Sequence, residues 1–171
     1  LGVKWAQGAI LAFLDADMIV PPDYIEDLLD LHKKYDVIQW RRDYLTETAT
    51  LNFVSYEGLN KTKDCFIPEG GYWADFYDRA ATHGWSELTD YWKYTCTYAL
   101  SLPRDLFEKV GWFRKTYCFY GFEDTDLGLQ LMRAGVKFYF YNKSVFHLFH
   151  KTERSEFRNS FFHRQKLLKN T

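Results

Sequence analysis

Apolar positions come in short runs along this chain, alternating between the rhythm of strands and that of helices. Ile10–Leu14 is a continuous apolar run of strand length, the pattern of a strand buried on both faces of an α/β sheet. Leu1–Gly8 before it reads as the end of a helix, with Gly8 as its cap. After Met18–Val20, Pro21, Pro22 and Asp23 mark a helix start. Tyr24, Ile25, Leu28, Leu29 and Tyr35 give that helix an apolar face, with Glu26, Asp27, Asp30 and Lys34 opposite. Val37–Trp40 reads as a short strand, and Arg41, Arg42 and Asp43 as the charged turn that ends it.

Thr48–Leu59 fits a helix or a strand equally well. Ile67–Trp73 is a loop with Gly70 and Gly71 set against Tyr72 and Trp73. It reads either as a turn packing its own rings or as a flexible wall of a sugar site. The pattern sharpens again at Tyr98–Leu102, a strand ended by Pro103. Asp105 opens a short helix with Leu106, Phe107 and Val110 inward, closed by Gly111. An aromatic loop, Trp112–Phe122, leads into a helix over Asp124–Ala134, with Leu127, Leu131 and Ala134 at helical spacing and Gly135 as its stop. Val136–Tyr141 alternates as a strand, and Ser144–His150 follows. Phe157, Phe161, Phe162 and Leu168 could form one face of a basic tail. That tail reads first as a terminal helix docked on the domain and second as a membrane-surface helix.

A length of 171 residues suits one domain with a real core. Composition changes the picture in one respect: aromatics make up 20%, and so many Tyr and Trp suit a surface that stacks on sugar rings. A net charge of −1 argues against a general nucleic-acid binder. Cys65, Cys96 and Cys118 are odd in number and widely spaced, neither a disulfide framework nor a zinc pattern, so a reducing, cytoplasmic compartment is expected. No apolar run approaches the roughly 20 residues of a membrane span. A buried strand this close to Leu1 leads us to expect a piece of a longer protein.

Two acidic groups carry the chemistry. Asp15 and Asp17 stand where the Ile10–Leu14 strand ends, and open α/β sheets bind ligands at the carboxyl ends of their strands. Paired carboxylates repel unless a cation lies between them. Hard oxygen ligands suit Mg²⁺ or Mn²⁺ with positions left for substrate phosphates. The plainer reading is a strand followed by a solvated acidic turn. Glu123, Asp124 and Asp126 crowd the first turn of a helix, where the helix dipole favours their ionised forms. One carboxylate suffices for capping, so three leave a candidate general base. His147 adds an imidazole suited to Mn²⁺ beside carboxylates, and spacing alone does not choose between it and His150.

The stretch Gly8–Met18, with Pro21–Ile25 after it, resembles the DxD region of family 2 glycosyltransferases of the GT-A fold. Gly121–Gly128 resembles that family's Gly–Trp/Phe–Glu–Asp–x–Asp segment, and Val145–His150 its terminal histidine motif. The likeness runs from about Leu1 to Lys151, loosely over residues 41–97. It implies a mixed sheet flanked by helices over residues 1–150, without the amino-terminal nucleoside-binding half, and a separate tail over 151–171. It implies that Asp17 and His147 bind the metal, with His150 as the fallback, and that Asp15 contacts ribose or metal. It implies that Asp124 is the base that deprotonates an acceptor hydroxyl, with Glu123 supporting it. Tyr120, Phe122, Asp126 and Trp73 fall on the acceptor side.

The expectation is therefore an inverting, metal-dependent transferase that takes a sugar from a nucleoside-diphosphate sugar, UDP-linked by expectation, to a glycan or other hydroxyl acceptor. As the fragment stands, without the nucleoside half, it is expected to be inactive. A sugar-phosphate nucleotidyltransferase and a non-catalytic carbohydrate-binding module are the alternatives. Peripheral membrane contact through the basic tail and a homo-oligomer are further options for its partners.

Overall fold

The computed structural model describes residues 2–59, 66–67, 76, 79, 90–114 and 122–151. In chain order these form α1 (Gly2–Trp5), β1 (Ile10–Leu14), β2 (Met18–Ile19), α2 (Tyr24–Leu31), β3 (Val37–Leu45), α3 (Glu47–Leu51), α4 (Tyr56–Leu59) and β4 (Phe66–Ile67). A 3₁₀ turn (Tyr91–Tyr94), β5 (Ala99–Pro103), α5 (Arg104–Lys109), α6 (Glu123–Arg133) and β6 (Phe138–His147) complete them. The strands make one mixed sheet in the order β1-β5-β3-β6-β2, with β4 added to the end of β3. β1–β5 and β5–β3 are antiparallel and β3–β6 is parallel, so β1, β3 and β6 all point the same way.

Strand alternation sends side chains to both faces of the sheet, and each face finds a cover. On one side Ile38, Trp40, Tyr98, Ala99 and Val145 pack against Tyr24 and Leu28 of α2. On the other, Leu11, Val37, Leu100 and Leu102 pack against Phe107 of α5 and Leu127 and Leu131 of α6. Fully burying side chains of this size contributes about 1.5–3 kcal/mol each. A smaller cluster of Leu45, Ala49, Tyr56, Leu59 and Phe146 lies at the carboxyl end of β3 and β6. Thr46 starts α3 by accepting a hydrogen bond from the Ala49 N–H, so the ambiguous Thr48–Leu59 stretch resolves into two short helices.

Several sequence expectations change here. β1 is not buried on both faces: it is the last strand in the order, and only Leu11 of its five residues is buried. An apolar run cannot by itself distinguish a central strand from an edge strand. Arg41–Asp43 is not a turn but the middle of β3. Its charges are absorbed by alternation: Arg41 pairs with Asp43 on one face at 3.1 Å, and Arg42 lies over the Tyr44 and Tyr98 rings on the other. Val136–Tyr141 and Ser144–His147 are not two pieces. They join into β6, whose register slips against β3 between Trp40 and Arg41. Ile25 and Leu29 of α2 are exposed rather than packed, because the stripe that meets the sheet runs through Tyr24, Leu28 and Leu31.

α1 ends at Trp5, so Gly8 does not cap it. Arg104 takes that role, donating to the carbonyls of Val3, Ala6 and Gly8. The β5, α5 and α6 expectations hold to within a residue or two, and Gly111 and Gly135 both adopt positive φ after their helices. Among the described residues, no helix is long and apolar enough to cross a membrane. The Ile67–Trp73 loop beyond Ile67, most of the Trp112–Phe122 loop, and the tail past Lys151 lie outside the described residues.

Candidate active site

Because β1, β3 and β6 are co-directional, their carboxyl ends gather at one end of the sheet. β1 and β2 stand at opposite ends of the strand order, yet only Asp15, Ala16 and Asp17 separate them. The acidic turn is thus the chain's crossing over the carboxyl ends of the sheet, closed by a hydrogen bond from the Met18 N–H to the Asp15 carbonyl. Ladder pairing then sets the neighbours. Met18 faces His147 across β2 and β6, and the Leu148 N–H donates to the Asp17 carbonyl.

Three ligand-type side chains converge there. Asp17 Oδ2 lies 3.3 Å from His147 Nε2 and 3.2 Å from His150 Nε2, and the three ligand atoms all fall within 4.8 Å of one another. The two imidazoles stand 5.1 Å apart, centroid to centroid. Tyr44 packs on His147 at 4.8 Å, held opposite it by the β3–β6 register. Burial holds the His147 imidazole below its ordinary pKa, against the pull of Asp17. That favours the neutral ring that ligates metals. One carboxylate and two imidazoles form a donor set of mixed hardness, which fits a divalent ion such as Mn²⁺. The sequence singled out Asp17 and His147; the structure adds His150 on equal terms.

Asp15 lies in the same neighbourhood, within the field of Asp17, Arg42 and His147. Its carboxyl is pushed up, first by partial desolvation and then by the Asp17 charge, while Arg42 and His147 oppose the rise. Its N–H donates to the Tyr98 carbonyl.

The second acidic group opens α6. Phe122 precedes the helix in the left-handed conformation, φ 67°, and is partly exposed. Thr97 grips the Asp124 carboxylate at both oxygens: its N–H donates to Oδ2 at 3.2 Å and its hydroxyl to Oδ1 at 3.0 Å. Burial pushes the Asp124 carboxyl up, and the charges of Glu123 and Asp15 add to the rise, while both Thr97 bonds oppose it. The Asp15 charge thus reaches Asp124 across the gap between the two acidic motifs. Glu123 Oε2 is buried and makes no hydrogen bond to the described residues. Asp126 is held from two sides: Gln130 donates to its Oδ2 at 2.8 Å and Arg114 pairs with the same oxygen at 3.3 Å. Trp73 and Tyr120 lie outside the described residues.

Gly128 explains how α6 comes so close. A Cβ there would lie 2.5 Å from the Trp92 carbonyl oxygen and collide with the Thr95 side chain. The helix rests directly on the segment that leads into Thr97. Sequence reading missed Thr97, Gln39 and Tyr98. No local signal marks them, because each acts through a partner distant in sequence.

Two family models match the chain. The family model described as glycosyl transferase family 2 matches residues 1–80, which carry Asp15 and Asp17. The model described as the N-terminal domain of galactosyltransferase matches residues 79–152, which carry Asp124, His147 and His150. No curated protein matches the chain. The two matches overlap at residues 79–80 and together span residues 1–152; both models describe glycosyltransferases, and together they support assignment of the chain to the glycosyltransferases of family 2.

Proposed function

We propose that this chain carries the catalytic centre of an inverting, metal-dependent transferase, which moves a sugar from a UDP-sugar to an acceptor hydroxyl. The convergence of Asp17, His147 and His150 beside the Asp15–Asp124 pair supports this reading most strongly. Asp17 and His147, joined by His150, would hold Mn²⁺ or Mg²⁺, and Asp15 would meet the ribose or the ion. A bound divalent ion supplies Lewis-acid stabilisation of the diphosphate leaving group.

The chain's own residues do the rest. Asp124, held by Thr97, accepts the proton of the acceptor hydroxyl as that oxygen attacks the anomeric carbon from the face opposite the diphosphate. Its raised pKa brings a carboxylate closer to the range where a base works well near neutrality. Glu123, on the same helical turn, supports the base. Phe122 and Asp126, with Tyr120 and Trp73, form the acceptor side of this reading.

Calorimetric titration with UDP, with and without Mn²⁺, tests the donor half. Binding that needs the ion and is lost in Asp17→Asn is the expected result. A transfer assay on the full-length enzyme tests the other half, and undiminished transfer by Asp124→Asn would remove Asp124 from the base role.

A further inference from the structure

The two acidic motifs are far apart in sequence, yet one short segment touches both. Cys96–Ala99 links the 3₁₀ turn to β5. Its Thr97 grips both oxygens of Asp124, and its Tyr98 carbonyl accepts the Asp15 N–H at 3.1 Å. The segment is itself held from below by Gln39 of β3, a fully buried side chain. Gln39 Oε1 accepts the Cys96 N–H at 2.9 Å, and its Nε2 donates to the Ala99 carbonyl at 3.2 Å. The amide thus clasps the segment at its first and last residues. The Tyr98 hydroxyl adds a third tie, donating to the Trp40 carbonyl at 2.7 Å.

A polar side chain at the centre of a sheet is costly unless its bonding capacity is used. Gln39 uses both ends of its amide, and both go to the segment that positions the acids. An apolar residue would fill the same space without this clasp.

We propose that Thr97 is the positioning residue for Asp124, and that Gln39 acts through the Cys96–Ala99 segment to set the spacing between Asp15 and Asp124. Thr97 occupies one acceptor site on each carboxylate oxygen. A carboxylate offers about four such sites, so an acceptor hydroxyl can share Asp124 with Thr97 and the neighbouring Cys96 thiol. The inference rests on the base reading of Asp124 only for its catalytic meaning; the grip itself is a matter of geometry.

The charged and titratable groups facing Asp124 are Glu123 on its own helix, Asp15 from the β1–β2 turn and Cys96 from the clasped segment. Arg42 of β3 acts on Asp15 and Cys96 in turn. Thr97 bonds both carboxylate oxygens and favours the ionised form, and the Cys96 thiol beside it also acts as a donor to Asp124.

The test follows the Asp124 carboxyl by carbon-13 NMR in the whole chain, with its resonance identified by its loss in Asp124→Asn. Thr97→Val keeps the shape and the N–H but removes the hydroxyl, so Asp124 should titrate at higher pH than in the parent. Thr97→Ser should restore the parent titration. In Gln39→Met, exchange of the Cys96 and Thr97 amide hydrogens should quicken while the far-ultraviolet circular dichroism stays unchanged. A folded Thr97→Val protein in which Asp124 titrates as in the parent would overturn the grip. Unchanged amide exchange in Gln39→Met would overturn the clasp. Neither readout depends on sugar transfer, so failure of the base reading would show separately in the Asp124→Asn transfer assay.

Discussion

Asp17 and His147 meet because β2 pairs with β6. Met18 stands opposite His147 in the ladder, and this puts Asp17 Oδ2 3.3 Å from His147 Nε2. The backbone sets the separation, and the Leu148 N–H bonded to the Asp17 carbonyl holds it from the other side.

The donor set should therefore bind a divalent ion even without a sugar donor. Mn²⁺ titration followed by calorimetry is expected to show one site. Asp17→Asn or His147→Ala should weaken it by more than the roughly 10–100-fold typical of changes outside the ligand shell. His150→Ala should weaken it to a comparable degree if both imidazoles ligate. Chelation with EDTA should abolish metal-dependent UDP binding.

Asp124 links function to acid stability. Its folded carboxyl is raised, mainly by burial, so the folded state keeps a proton that the unfolded state releases first. The native state is thus unpenalised at pH values below the unfolded pKa. It loses stability as pH rises through the window between the unfolded and folded values. Above that window the penalty is complete. Asp124→Asn removes it, so the variant should melt above the parent near pH ~7, with the gain shrinking as pH falls through the carboxylate range to about 3. A variant less stable than the parent at neutral pH would contradict this.

Gly128→Ala should destabilise the chain by about 1–3 kcal/mol in urea unfolding, the usual range for forcing a methyl into packed surroundings. The added Cβ meets the Trp92 carbonyl and Thr95, neither of which is the far end of a flexible side chain. Because α6 must lift to admit it, the variant should also lose sugar transfer in the full-length enzyme.

Cys96 is a free thiol, pushed up to about 12 by burial first and by Asp124 next. Thiolate is the reactive form. Iodoacetamide near pH ~8 should leave Cys96 unmodified in the native chain and label it after denaturation, as read by peptide mass spectrometry. Rapid native labelling would show that the thiol is less buried than its position implies.

Much of this architecture was legible along the chain. α2, α5, α6 and β5 announced themselves through proline and acidic starts, glycine stops and apolar spacing, all local matters of backbone preference. The reading failed where a residue's state depends on its neighbour across the sheet. Arg41–Asp43 carries the composition of a turn, but pairing with β6 on one side makes it strand. Ile10–Leu14 carries the composition of a central strand, but β5 is its one partner among the described residues.

The candidate site divides in the same way. That Asp15 and Asp17 follow a strand and that Glu123 and Asp124 open a helix is legible in the chain alone, because each pattern is complete within a few residues. The sequence also placed His147 near a strand end. Folding is needed to see that His150 joins His147 on Asp17, that Thr97 holds Asp124, and that Gln39 clasps the segment between the two acidic motifs. Those contacts come from strand order and register, which long-range burial selects. A hydrogen bond between distant residues leaves no periodic trace in the chain that makes it.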